Sequence, residues 1–345
     1  MSVDVETPLG RLTPRHLLWV AIVVGAALVP MFADPFGLFL GATILALGLY
    51  GAAFDLLYGY TGLLSFGHSV FFGVGAYAAT FAINDYGMGA FLALLIAFLV
   101  TGVVAIGLGL IAVRVSSHGF VIVTILIALI AHLAAASLTD ITGGTDGLTV
   151  VVPQITLPGL GSYSLVEPVF RYYFVLALLL VSLAVMYRLV TSPVGLAFRM
   201  IRENETRAQM LGYNVTVYKL GAFMASGAFA GLAGALSMFI TGFVSASDFS
   251  LIVSGDAIIF TLVGGRGTLF GAVLGAALIE LTANQVSELT DAYPLFIGVL
   301  LVATAVLEPQ GLLGLWTRLK DRLLGSGGGG VADEDVAGRE VAGDE

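Results

Sequence analysis

Apolar runs long enough to cross a membrane recur along almost the whole of this 345-residue chain. A helix needs about 20 predominantly apolar residues to span the hydrocarbon core of a bilayer. Runs of this kind stand at 16–33, 37–54, 63–83, 89–112, 119–138, 171–190 and 219–241. A longer stretch, 251–282, is interrupted at Gly264-Gly265-Arg266-Gly267, and a last run covers 294–308. Backbone amides and carbonyls in lipid must be satisfied within the chain, and runs of this length do so as helices. The expectation is an all-α, polytopic membrane helix bundle of about 8–10 transmembrane helices, some of them broken or re-entrant. The first run lacks a clear small-residue cleavage site and is followed at once by a second, so it does not read as a cleaved signal peptide.

Composition agrees. Charged residues make up 11% of the chain, whereas a soluble domain carries about a quarter. Mean hydropathy is +1.01. The 45 glycines follow no collagen-like period and suit close approach of helix backbones in lipid. With no cysteine, disulfides, thiol nucleophiles and cysteine-ligated metals are excluded. No cofactor, metal or nucleic acid is expected. The net charge of −9 owes much to the end of the chain, where Asp333, Glu334, Asp335, Glu340, Asp344 and Glu345 face only Arg339. Lysine is confined to Lys219 and Lys320, an acidic, lysine-poor balance typical of salt-adapted proteins.

Cytoplasmic loops of membrane proteins retain Lys and Arg. With the N-terminus inside, counting crossings places all but Arg171 of the 14 basic residues on the cytoplasmic side. Both termini are then cytoplasmic. This holds whether 251–282 is a hairpin turning at Arg266, for ten crossings, or one re-entrant element, for eight. The chain divides into a cytoplasmic segment 1–15, a transmembrane domain 16–322 with an internal loop at 191–218, and a tail 323–345. That tail is too poor in apolar residues to fold.

Four segments carry the functional signal. The first, Gly59 to Tyr77, alternates glycines with aromatics and contains Ser65, His68 and Ser69. Such a run makes a poor isolated helix but a good close-packed or broken one. An ionisable group at membrane depth points to function. Gly62, Ser65, Gly67, His68, Ser69 and Gly73 therefore either line a pathway through the membrane or pack against neighbouring helices. Ser65 and His68 are also spaced to form a hydrolytic dyad, but the Gly-x-Ser-Gly elbow that would support one is missing.

The internal loop is the second. Ser192 is a natural N-cap and Pro193 suits a first helical turn. Phe198, Ile201, Met210 and Leu211 supply apolar anchors, while the arginines, Glu203 and Glu205 face water or a partner. Gly212 suits a left-handed stop. This predicts a short amphipathic helix that docks a cytosolic motor, the alternative being a solvated loop held to anionic headgroups by its arginines.

Third, Gly227 and Gly231 form a small-xxx-small pair within a span. Fourth, the 264–271 glycine turn could cradle a phosphate, yet no GxxxxGK[ST] occurs anywhere in the chain. The protein has no phosphate-binding loop of that kind. Asp55, Asp256 and Glu280 lie near or within spans and could serve an ion-coupled transporter.

Taken together, these segments resemble the permease family of branched-chain amino acid ABC importers. Residues 59–77 resemble its G-x-x-G-x-x-S-[LF]-G-[HQ] stretch and the F-F-G-[IV]-G-A-Y segment that follows. Met200-Ile201-Arg202-Glu203-Asn204-Glu205 resembles its A-I-R-E-N-E docking core. Gly212, Lys219, Phe223, residues 230–235 and the turn Gly264 to Gly271 continue the pattern. Thr142-Gly143-Gly144-Thr145-Asp146-Gly147-Leu148 is similar to the T-G-G-x-D-G-L element of the LivM branch rather than the LivH branch. The likeness covers most of residues 45–310, in order. Leu196 stands where the family commonly has Arg, and Arg207-Ala208 where it has Ala-Ala.

The resemblance implies a multi-pass cell-membrane subunit that pairs with a sister permease. Two ABC ATPase subunits would bind the internal loop, and an extracellular amino-acid-binding protein would deliver the solute. It assigns coupling to the ATPases to Gly195, Arg199, Ile201, Arg202, Glu203, Asn204, Glu205 and Gly212. The same branch includes permeases for urea and other amides.

Overall fold

The structure, a computed structural model, describes residues 22–115, 117–157, 161–290 and 292–307. The expected N-terminal segment 1–15 and tail 323–345 lie outside the described residues. So do Arg11, Arg15, Arg318, Lys320, Arg322 and Arg339 of the charge count.

The chain is a bundle of helices: α1 (Ile22–Met31), α2 (Pro35–Thr61), α3 (His68–Asn84), α4 (Ala90–Ala112), α5 (Ser117–Ser137) and the one-turn α6 (Thr139–Thr142). After them come α7 (Pro168–Thr191), α8 (Pro193–Glu203), α9 (Glu205–Met210), α10 (Val215–Thr241), α11 (Leu251–Gly264), α12 (Phe270–Ser287) and α13 (Tyr293–Leu307). Among the described residues, 5 helices are long and apolar enough to cross a membrane: α2, α4, α5 from Gly119, α7 and α10.

Helices α2 and α10 form the centre. The Asp34 carboxylate caps α2 by accepting from the Gly37 amide at 2.9 Å, with Pro35 at the first helical position. The helix stops at Gly62, whose φ of +78° is a left-handed conformation that strains any residue with a Cβ. Around this centre α4 and α5 are peripheral. Leu92, Leu95, Leu99 and Val103 form one exposed stripe along α4, and Ile122, Leu126, Ile130 and Leu133 form one along α5. Exposed branched apolar residues at helical spacing are a surface for lipid, not water.

The small-xxx-small pair is buried inside this chain. Gly231 packs against Gly75 of α3 and Thr101 of α4, and Gly227 lies against Ala105 and Phe71. Helix α10 is thus wedged between α3 and α4, where packing rather than hydrophobic sorting holds helices together.

One expected span changes, and the 251–282 stretch takes the hairpin form of its two expected alternatives. The run 63–83 begins as a helix only at His68, because residues 62–67 form a connecting turn. That turn is satisfied by side chains: the Thr124 hydroxyl accepts from the Phe66 amide at 3.1 Å and the Ser65 hydroxyl from the Gly67 amide at 3.3 Å. Residues 251–282 are two helices joined at 265–269. Gly264 faces Gly271 and Phe260 faces Gly275, the pairing of an antiparallel hairpin. Helix α11 has 14 residues, and a helix of that length rises about 21 Å, short of the ~30 Å hydrocarbon core. It starts inside the bundle, because the approach segment 243–250 dips inward until the Phe249 carbonyl accepts from the Ser69 hydroxyl at 3.0 Å.

At the far end of the bundle, β1 (Leu148–Thr149) pairs antiparallel with β4 (Phe243–Val244), in register Leu148 with Val244. Strands β2 (Gln154–Leu157) and β3 (Gly161–Ser164) pair antiparallel. The Tyr77 hydroxyl donates to the Thr142 carbonyl at 2.9 Å and the Asn84 amide to that of Thr149 at 3.0 Å, tying this loop to α3.

Candidate functional site: the helical element at 192–212

Residues 192–212 do not form the single helix that the sequence predicts. They fold as α8 and α9, separated at Asn204, whose φ of −161° and ψ of 104° are extended. The Asn204 side chain accepts from the Arg207 amide at 2.8 Å and so caps a new helix. Ser192 caps α8 as expected, and Gly212 closes α9 at φ +87°. The adjoining residues 215–218 belong to α10 rather than to the loop.

The break changes which apolar residues are anchors. Ala197, Phe198 and Ile201 of α8 are buried against the bundle, whereas Met210 and Leu211 are 82% and 65% exposed. Helix α8 turns so tightly out of α7 that a Cβ on Gly195 would overlap the Val190 backbone. Its outer stripe is Leu196, Met200 and Glu203, spaced i, i+4 and i+7. Leu196 and Glu203 are exposed and Met200 is half-buried.

Glu205 faces inward instead. It pairs with the nearly buried Lys219 at 2.6 Å, fastening α9 to the first turns of α10. Arg199 lies 5.3 Å from the centre of the Tyr60 ring, a cation–π contact. The Arg202 Nη1 donates to the Gly59 carbonyl in the last turn of α2.

Arg202 brings this element against a second feature. Asp55 of α2 is fully buried. Its carboxylate accepts from the amides of Gly267, Thr268 and Leu269 at 2.6, 3.0 and 2.8 Å. These three donors are the turn between α11 and α12. Among the described residues, Leu269 is the single non-glycine with positive φ, at 55°. Such a conformation costs about 1–3 kcal/mol and persists where surrounding contacts over-determine it. Asp55 is therefore occupied as a cap in this conformation, not free as an ion carrier. Sequence reading missed the role, since its partners lie more than two hundred residues away. The available signal was a lone acid on a glycine-rich span together with a glycine turn rich in unpaired amides.

The expected pathway residues occupy the interior. Ser65, Gly67, His68, Ser69 and Gly73 are buried, and Gly62 is exposed at the α2 stop beside Arg202. His68 Nε2 lies 3.0 Å from the Ser226 hydroxyl, which donates to the Ala53 carbonyl. Phe54 and Phe71 meet the His68 ring edge-on at 5.2 and 5.5 Å. The Ser69 amide and hydroxyl sit 2.9 Å from the Ser254 hydroxyl. Gly73 is covered by the Phe249 ring and Gly67 by Thr124. His68 thus bonds to Ser226 of α10, and Ser65 to the turn it starts. The two do not make a dyad.

Against known proteins, residues 36–305 match the family described as branched-chain amino acid transport system, permease component. The high-affinity branched-chain amino acid transport system permease protein LivM of Salmonella typhimurium is 29% identical over 324 residues, covering 88% of this chain and 76% of that protein. Its Escherichia coli counterpart has the same identity and coverage. The probable branched-chain amino acid transport permease protein LivH of Methanocaldococcus jannaschii is 28% identical, over 81% of this chain and 91% of its own length. No solved structure matches. A multi-pass helical bundle with these motifs in order, matched across most of its length, belongs to the branched-chain amino acid transport system permease component family.

Proposed function

We propose that this chain is the membrane-spanning permease subunit of an ATP-driven ABC importer for branched-chain amino acids. It would work with a sister permease, two cytosolic ATPase subunits and an extracellular binding protein. The observation that carries this reading is α8, an amphipathic helix anchored inward by Phe198 and Ile201 that leaves Leu196, Met200 and Glu203 for a partner. Such a stripe, held rigidly against two central helices, is what a motor must grip to move the bundle. Gly195, Arg199, Ile201, Arg202, Asn204, Glu205 and Gly212 shape and hold that element, and Glu203 meets the partner. Ser65, Gly67, His68, Ser69 and Gly73 act as the packed core behind the pathway wall, where helices must repack as the pathway opens.

Proteoliposomes holding the whole complex should accumulate labelled leucine only with ATP inside and loaded binding protein outside. The purified chain alone should show no saturable nucleotide binding, since it lacks a phosphate-cradling lysine loop. Leucine uptake driven by an ion gradient without ATP would overturn the reading.

The docking element belongs on the cytoplasmic side, with both termini. The chain has no cysteine, so introduced cysteines report without background. One at Thr145 should react with an impermeant reagent in whole cells, and one at Asn204 only after permeabilisation. The opposite pattern would invert the topology.

A further inference from the structure

Three elements distant in sequence meet at the inner face of α8. Arg202 donates to the Gly59 carbonyl. Gly267 lies beside both, since a Cβ placed on it would stand 3.3 Å from Arg202 Nη1 and 3.4 Å from the Gly59 oxygen. Asp55, one helical turn before Gly59, holds the amides of 267–269. A Cβ on Gly59 would overlap the Asp55 carboxylate and the Gly267 amide. The guanidinium, the end of α2 and the hairpin turn are therefore in continuous contact, with no side chain between them.

We propose that Asp55 and Arg202 are positioning residues of an internal joint that makes the α11–α12 hairpin and the end of α2 follow α8. The inference rests on the docking role of α8 and adds the route by which its movement enters the membrane. Asp55 grips the turn where the backbone is least able to stand alone, at Leu269 with its φ of 55°. A strained turn held by one carboxylate is the kind of element that a released state would relax, and transmission through the joint would consist of leaving the gripped one. Arg202 reaches the same turn from the element that the motor would move. The ring of Tyr58, under Arg266 at 5.1 Å, flanks the joint on its other side.

The test uses the complete complex in proteoliposomes and the ratio of leucine transported to ATP hydrolysed. Asp55→Asn keeps the size of the side chain but leaves one carbonyl acceptor for three amides. The ratio should fall by about tenfold, with the ATPase subunits still co-purifying and hydrolysis continuing without stimulation by the binding protein. Gly59→Ala, which pries the turn from α2 without touching the outer stripe of α8, should do the same and decides the matter if Asp55→Asn fails to insert. A wild-type ratio in the inserted variants overturns the joint. So does a parallel fall in complex yield, hydrolysis and transport, the signature of a merely structural contact. Failure of the docking reading would appear elsewhere, as a wild-type chain that retains no ATPase subunit.

Discussion

Gly75→Leu should prevent the chain from accumulating as a folded membrane protein. Gly75 of α3 faces Gly231 of α10 so closely that a Cβ there would overlap the Gly231 backbone carbonyl. The obstacle is backbone on both sides, so no flexible side chain can swing away. Relief requires separating α3 from α10, and with it the neighbouring contact of Gly234 against the Phe72 backbone. Overpacking a core costs about 1–3 kcal/mol even where side chains can adjust. Here a helix at the centre of the bundle must shift, against a total stability of about 5–15 kcal/mol. Gly107→Leu is the matched control, because nothing lies within 4 Å of a Cβ at Gly107 on α4. Fluorescence-detected gel filtration should show the Gly107 variant at the wild-type position and level, and the Gly75 variant aggregated or lost. A monodisperse Gly75→Leu chain melting at the wild-type temperature would show that the α3–α10 seam is looser than this.

How far the sequence reached depended on the range of the interaction. Apolar runs of membrane length marked most of the helices, and the glycine pair at 227 and 231 marked a packing face. The break at 264–267 was legible because glycine and arginine interrupt an apolar run locally. Asn204 was not, since residues 199–211 look helical throughout. Its side chain competes with the backbone and restarts the helix one residue later, which turns Met210 and Leu211 outward. The long-range polar contacts were also hidden. His68 with Ser226 and Asp55 with the 267–269 amides follow no period, and a membrane-depth acid reads as an ion site until its donors are seen. Composition marks such groups as unusual at membrane depth, and the fold shows which helices their hydrogen bonds reach.

Glu203→Lys should abolish coupled transport while the chain still inserts and folds. Glu203 is the last residue of α8 and is exposed on the outer stripe. No hydrogen bond or ion pair within the described residues engages its carboxylate. A negative charge here is opposed by the C-terminus of α8 and favoured by the N-terminus of α9, which begins two residues on, by about 0.3–1 kcal/mol each, so the helices alone do not account for it and a cation on a partner does. Under the proposed docking that cation belongs to an ATPase subunit, and reversing the charge places like charges in contact. Loss of a close interfacial charge pair costs about 2–5 kcal/mol, and each 1.4 kcal/mol is about tenfold in binding. The Lys variant should therefore retain little ATPase on purification, and reconstituted vesicles should take up leucine at under about a tenth of the wild-type rate. Leu196→Ala, seven residues earlier on the same stripe, removes apolar area without reversing a charge and should be milder. If instead α8 only rests on headgroups, Glu203→Lys adds a favourable lysine to a basic surface, and uptake stays within the ±0.5 kcal/mol, about twofold, expected of a surface substitution. Assembled Glu203→Lys complexes that transport at the wild-type rate would remove Glu203 from the docking surface.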